Sequence, residues 1–250
     1  MEHTQRRIRT LTTHLLQGPA PTPTPTPAAA TPPLRVGLIG DSEHGKYGHG
    51  LQKLFIGRTD GVVVAIADPH AGPRGEIAAE VGGDPTQYDS YTTMLAEEQV
   101  DAAVIATSVT LDHYETVKAC LEAGAHVFCE KPFVHDPAQA DELLALAKEK
   151  GLKIAVKHEM QLTPNMQWLK EQLDAGVIGD LIQIDSYGKQ DQRAGAEDMA
   201  VLAGHIFDLC RLFCGGDAQW ASAHITKDGK PVSEQDATHT QANGDEEIVK

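Results

Sequence analysis

No run of eighteen apolar residues occurs anywhere in the 250-residue chain, so no segment reads as a helix that spans a bilayer. Basic residues are scarce: 21 lysines and arginines face 36 aspartates and glutamates, for a formal net charge of −15. A surface of that sign repels phosphate backbones and anionic lipid, which excludes nucleic acid and membrane as main partners. Cysteine is also sparse, and the four present, Cys120, Cys129, Cys210 and Cys214, form no CxxC pair. Cys120, Cys129 and Cys210 fall within apolar helix or strand patterns and read as small core residues. Thiols used this way stay reduced, which fits a cytoplasmic protein. Cys210 and Cys214 lie one helical turn apart and supply half of a metal site, but no second pair completes it, so no metal is expected. There is no internal repeat.

What is present begins with a leader. Residues 1–18 contain Arg6-Arg7-Ile8-Arg9, a twin arginine of the kind found in export signals, but no apolar segment follows it. Residues 19–33 read PAPTPTPTPAAATPP, where repeated proline forbids helix and sheet and favours polyproline II. Residues 1–33 are thus expected to be a disordered leader that dilutes the 41% apolar content. From residue 34 the pattern alternates. Apolar or β-branched runs at 34–39, 62–67, 102–107, 126–129 and 154–156 predict strands. Helical spacing predicts helices over 47–56, 74–81, 91–98, 113–123 and 138–150. Strands alternating with helices of this length imply βαβ units, and right-handed crossovers make the fold class α/β, a doubly wound parallel sheet over 34–155. After Lys157 the character changes. Helices are expected over 164–175 (stopped by Gly176) and 198–213, strands over 181–187 and 220–226, and a turn at Asp228-Gly229. Residues 156–250 therefore read as an incomplete α+β domain ending in a polar stretch, 233–250, with little to bury.

The first strand runs into Gly40-Asp41-Ser42-Glu43-His44-Gly45, a G-x-G-x-x-G fingerprint with Ser42 in its middle position. Gly40 suits the tight turn, Gly45 lets the helix pack close, and the helix start supplies N–H groups for a pyrophosphate. Ser42 narrows the backbone approach, but its hydroxyl can donate to phosphate. Asp68 ends the second strand 23 residues after Gly45, where a carboxylate accepts from a ribose 2′-hydroxyl and repels a 2′-phosphate. The expected cofactor is therefore NAD rather than NADP. The competing reading is a glycine-rich turn with Asp68 capping the next segment.

A second feature sits at the end of another strand: His126-Val127-Phe128-Cys129-Glu130-Lys131-Pro132-Phe133. Ligands of open α/β sheets bind beyond the carboxyl ends of the strands, and Glu130 and Lys131 lie there. Lysine loses its proton readily when desolvated or set beside another cation. Pro132 makes a cis peptide cheap, since X–Pro prefers trans by only about 0.5–1 kcal/mol. The plainer reading is a strand-to-helix turn with a surface ion pair.

These residues resemble the glucose–fructose oxidoreductase and inositol dehydrogenase family (Gfo/Idh/MocA). Residues 123–132, Ala-Gly-Ala-His-Val-Phe-Cys-Glu-Lys-Pro, are similar to its AGxHVxxEKP signature. Val104-Ile105-Ala106-Thr107 with His113 resembles its fourth-strand segment. Gly176-Val177-Ile178-Gly179 resembles its G-x-I-G turn, and Gly204-His205-Ile206-Phe207-Asp208 its histidine helix. The resemblance implies that Lys131 contacts nicotinamide and substrate and relays the hydroxyl proton, and that Glu130 helps set the cofactor site. It also implies that Thr107 and His113 line the nucleotide cleft and that His205 binds the substrate hydroxyl, while His44 in the glycine loop is a further cofactor-binding candidate. Substrates implied are sugars, cyclitols and related polyols, and the second domain implied is a broad sheet often used to form homo-oligomers.

Two departures stand out. Relatives with a Lys–Asp–His set carry the aspartate four residues before the histidine, where this chain has Val201. Asp198 lies seven before His205, on the same helix face but about 10 Å along the axis, and is the remaining catalytic candidate. Residues 195–202 around it resemble a subgroup with a GGGED segment and no settled substrate. The second departure is length, since about 95 residues follow the first domain. The resulting expectation is an NAD(P)-dependent dehydrogenase acting on a secondary alcohol of a sugar-like polyol. The alternatives are a non-catalytic nucleotide-binding protein of the same descent and glycoside cleavage assisted by redox chemistry.

Overall fold

The computed structural model describes residues 32–42, 47–107, 112–187, 203–227, 229–233, 239–242 and 246–249. Contacts divide the chain into two units, one holding residues 29–157 with the C-terminal residues from 237 onward, the other holding most of 158–236.

The first unit is built on six parallel strands: β1 (Leu34–Ile39), β2 (Gly61–Ala67), β3 (Thr86–Tyr88), β4 (Ala102–Ile105), β5 (His126–Cys129) and β6 (Ile154–Val156). Their order in the sheet is β3-β2-β1-β4-β5-β6. Chain order reverses between β1 and β4, which makes that crevice the topological switch point of a doubly wound sheet. β2 and β4 read as near-unbroken apolar runs, as strands covered on both faces do. Successive side chains part to opposite sides. Ile39, Ala65, Ala67, Ala103 and Ile105 join one buried cluster, with Met94, Val117, Leu121 and Leu143 brought by helices. Leu38, Ile66, Val104 and Ala106 join the other, with Leu51 and Ala78. The helices are α1 (Tyr47–Gly50), α2 (Ala71–Val81), α3 (Tyr91–Glu97), α4 (His113–Glu122) and α5 (Pro137–Lys150). The buried thiols Cys120 and Cys129 are free, and burial alone pushes Cys120 up to about 12.

Three expectations fail in instructive ways. The helix expected over 47–56 stops at Gly50, whose φ of 93° breaks the helical path, and continues only as a 3-10 turn over Leu51–Lys53. β3 was unforeseen because its three residues, Thr-Gln-Tyr, are polar or half-exposed and pair on one side only. Residues 181–187 form no strand, and Ile182 is 95% exposed. A strand needs a partner edge, and a local alternation does not supply one.

The second unit carries a 3-10 turn (Glu159–Leu162), α6 (Pro164–Asp174) and α7 (Ala203–Cys214). α6 stops where Gly176 donates its N–H back to Leu173. The strand expected over 220–226 shrinks to a hairpin of β7 (Thr226–Lys227) and β8 (Lys230–Pro231) around Gly229. In place of the expected featureless polar tail, β9 (His239–Ala242) and β10 (Glu246–Val249) pair antiparallel.

Candidate functional site

Among the described residues, the buried polar or charged side chains are Asp68, His113, Thr116, Glu130, Lys131 and Lys157. All but Thr116 lie at or just beyond the carboxyl ends of parallel strands. Burial of charge is costly unless it is paired or hydrogen-bonded, so this concentration marks one end of the sheet as the functional one.

Asp68 follows β2 and is fully buried. One carboxylate oxygen accepts from the Ser42 hydroxyl at 2.5 Å and the other from the His70 N–H at 2.8 Å. Ser42 thus donates to the acid instead of being held ready for phosphate. Gly40 directly follows β1. A Cβ there would come within 2.4 Å of the Tyr47 ring, so glycine is what lets that ring lie across the turn. Burial, and then the adjacent Asp68 carboxylate, push the Tyr47 hydroxyl well above its ordinary range. That hydroxyl makes no hydrogen bond of good geometry. His70 in turn faces Asp41 at 3.3 Å across the two loops. His44 and Gly45 lie outside the described residues.

Across the switch point, Thr107 lies just past β4. Its hydroxyl is buried without a partner among the described residues, while its carbonyl faces His113. His113 itself is fully buried. Its Nε2 lies 3.0 Å from the Thr107 carbonyl and its Nδ1 lies 2.8 Å from that of Pro132 and 3.2 Å from that of Phe133. The ring therefore sits between two turns rather than open to a cleft, which differs from the lining role the resemblance implies.

Glu130 and Lys131 follow β5, and the Lys131–Pro132 peptide is cis. Glu130 is buried; its Oε2 accepts from the Lys131 main-chain N–H at 2.7 Å and its Oε1 pairs with Lys157 Nζ at 3.0 Å. Lys131 is only 9% exposed. The surface ion pair of the plainer reading is therefore an ion pair in the interior, and its partner is Lys157. β5 and β6 run in register with Cys129 opposite Val156, so the next residues, Glu130 and Lys157, meet. His126 accepts from the Lys153 N–H at 3.0 Å, a packing role.

The second unit has its own polar cluster. His158 and His205 meet edge to face with ring centroids 6.1 Å apart. Gln161 donates to Asp208 Oδ1 at 3.4 Å, and His158 Nδ1 and Asp208 Oδ2 are buried without a hydrogen-bond partner. Asp198 and Val201 lie outside the described residues, as does the GGGED-like segment. No group of three metal-binding side chains occurs among the described residues.

A nicotinamide dinucleotide fits what the first unit offers: a glycine turn after β1, a buried carboxylate after β2 and an orphaned hydroxyl after β4, arrayed around the switch point. Comparison with known proteins agrees. The family model GFO_IDH_MocA, described as "Oxidoreductase family, NAD-binding Rossmann fold", matches residues 34–158. The chain belongs to this family. It is 31% identical over 159 residues to the D-glucoside 3-dehydrogenase of Escherichia coli K12, covering 62% of this chain and 43% of that one. The crystal structure of myo-inositol 2-dehydrogenase from Lactobacillus plantarum superposes with a TM-score of 0.63 at 25% identity, covering 73% of this chain and 57% of that one. A point variant of KijD10, a 3-ketoreductase from Actinomadura kijaniata solved with TDP-benzene and NADP, gives 0.53 at 27% identity, covering 60% and 44%. The chain spans about half the length of these relatives. For a Gfo/Idh/MocA protein the matched stretch ends just past β6, so Asp68, Glu130, Lys131 and Lys157 all fall within it.

Proposed function

We infer that the protein is an NAD-dependent dehydrogenase that oxidises a secondary alcohol of a sugar, cyclitol or related polyol. The observation that carries the reading is Lys131. It is a nearly buried amine on a turn held by Glu130, at the carboxyl end of a strand in a sheet whose switch point carries Gly40, Asp68 and Thr107. Relatives named as a D-glucoside 3-dehydrogenase and a myo-inositol 2-dehydrogenase support the substrate class.

Gly40, Asp68 and Thr107 would hold the cofactor, which when bound supplies the hydride acceptor. Asp68 accepts from a ribose hydroxyl and sets a negative charge against a 2′-phosphate, which supports NAD over NADP. Lys131 takes the proton that leaves the substrate hydroxyl. The resemblance gives His205 the substrate hydroxyl to bind, and its ring already contacts His158.

The test is Lys131→Ala. NADH and NADPH titrated by fluorescence should bind this variant as they bind the wild type, with NADH the tighter of the two. Turnover on a responsive polyol should fall by about 10²–10⁴-fold, the range general-base catalysis contributes. Undiminished turnover removes Lys131 from the chemistry. Tight NADH binding by the wild type with no oxidation across a broad polyol panel favours a non-catalytic nucleotide-binding protein instead.

A further inference from the structure

Lys157 has no part in the scheme above, yet it is one of two lysines among the buried residues of this end of the sheet. It directly follows β6, as Glu130 directly follows β5, and the side chains of the pair are 11% and 3% exposed. The Glu130 carboxylate uses both oxygens within its own unit. One receives the Lys157 ammonium at 3.0 Å and the other the main-chain N–H of Lys131 at 2.7 Å. A carboxylate this deep needs a counter-charge and a full set of hydrogen bonds. Lys157 supplies the counter-charge, so the carboxylate does not depend on the Lys131 amine for it.

We propose that Lys157 is a positioning residue for Lys131, acting through Glu130. The ammonium at the end of β6 fixes the carboxylate, and the carboxylate fixes the main chain at the residue that carries the base. The idea rests on the dehydrogenase reading for its consequence in turnover, but not for its consequence in structure. With the ammonium gone, Glu130 has no fixed orientation and Lys131 loses the acceptor of its N–H.

The experiment compares Lys157→Met, Lys157→Arg, Glu130→Gln and the double variant Glu130→Gln/Lys157→Met in the full chain. Three readouts are taken: melting temperature, amide exchange over residues 129–134 against residues 137–150, and kcat and KM on a responsive polyol. Lys157→Met should lower the melting temperature. It should also speed exchange over 129–134 on the order of tenfold, the effect of losing one hydrogen bond, and leave 137–150 unchanged. Lys157→Arg should restore the wild-type exchange pattern. The double variant, with neither charge left buried, should recover the melting temperature but not the protection over 129–134, and its loss in turnover should appear in kcat more than in KM. The proposal is overturned if exchange in Lys157→Met rises equally over both segments, which is a purely structural effect. It is equally overturned if the double variant regains both stability and wild-type protection over 129–134. The exchange arm needs neither cofactor nor substrate, so it decides the proposal even if the wild-type protein oxidises nothing.

Discussion

His113 ties together the two turns that follow β4 and β5. Its ring lies within hydrogen-bond distance of the Thr107 carbonyl on one side and the Pro132 and Phe133 carbonyls on the other, with no exposure to solvent. Buried carbonyls left without donors cost about 1–3 kcal/mol. His113→Leu, which keeps the volume and removes the ring N–H, should therefore lower unfolding stability by about that amount, measured by urea denaturation. An unchanged midpoint would mean the ring only fills space. The residues at the strand ends differ in how readable they were. The positions of Asp68 and Lys131 were legible because each lies within two residues of the end of a strand that sequence patterning alone locates. The pairing of Glu130 with Lys157 depends on the register between β5 and β6, 27 residues apart, which no local pattern fixes. The Tyr47 ring over Gly40 was invisible for the same reason: it depends on where the chain returns after residues 43–46.

Among the elements, α5 matters most to the site because it begins five residues after Pro132 closes the Lys131 turn. Asp136 caps it, its side chain accepting from the Ala138 N–H at 2.8 Å, and Pro137 follows at the first helical position, where a missing N–H costs nothing. Asp136→Ala should cost about 1 kcal/mol in urea denaturation. Asp136→Asn or Asp136→Ser should recover most of it, since either can accept the same bond. If all three variants melt together, the cap is not what holds the helix start. Elements of this kind were legible: α5 has a cap signal, an apolar face and a closing glycine, and the strands β1, β2, β4, β5 and β6 are largely apolar runs. The misread strands share one cause. β3 and residues 181–187 depend on partners elsewhere in the chain, and the polar Thr-Gln-Tyr gained one while the more apolar 181–187 did not.

At the scale of the whole molecule, the two units differ in how much they bury. The first has a cluster of fully buried apolar side chains on each face of its sheet. In the second, neither α6 nor α7 has a buried residue, and Ile182, Tyr187 and Trp220 are 95%, 82% and 82% exposed. Burial at roughly 25 cal/mol per Å² is the main term that offsets chain entropy, so the second unit should open locally at far lower free energy than the first. Brief digestion with chymotrypsin, which cuts after aromatic residues and leucine, should act first within 158–233. It should leave a resistant fragment running from near residue 34 to near residue 157, identified by mass spectrometry. Because Gly40, Asp68, Thr107, Glu130, Lys131 and Lys157 all lie inside that fragment, it should still quench or enhance NADH fluorescence on binding. Equal resistance of both units would show that the exposed apolar residues are covered in solution. A fragment that survives but no longer binds NADH would show that cofactor affinity depends on residues beyond Lys157.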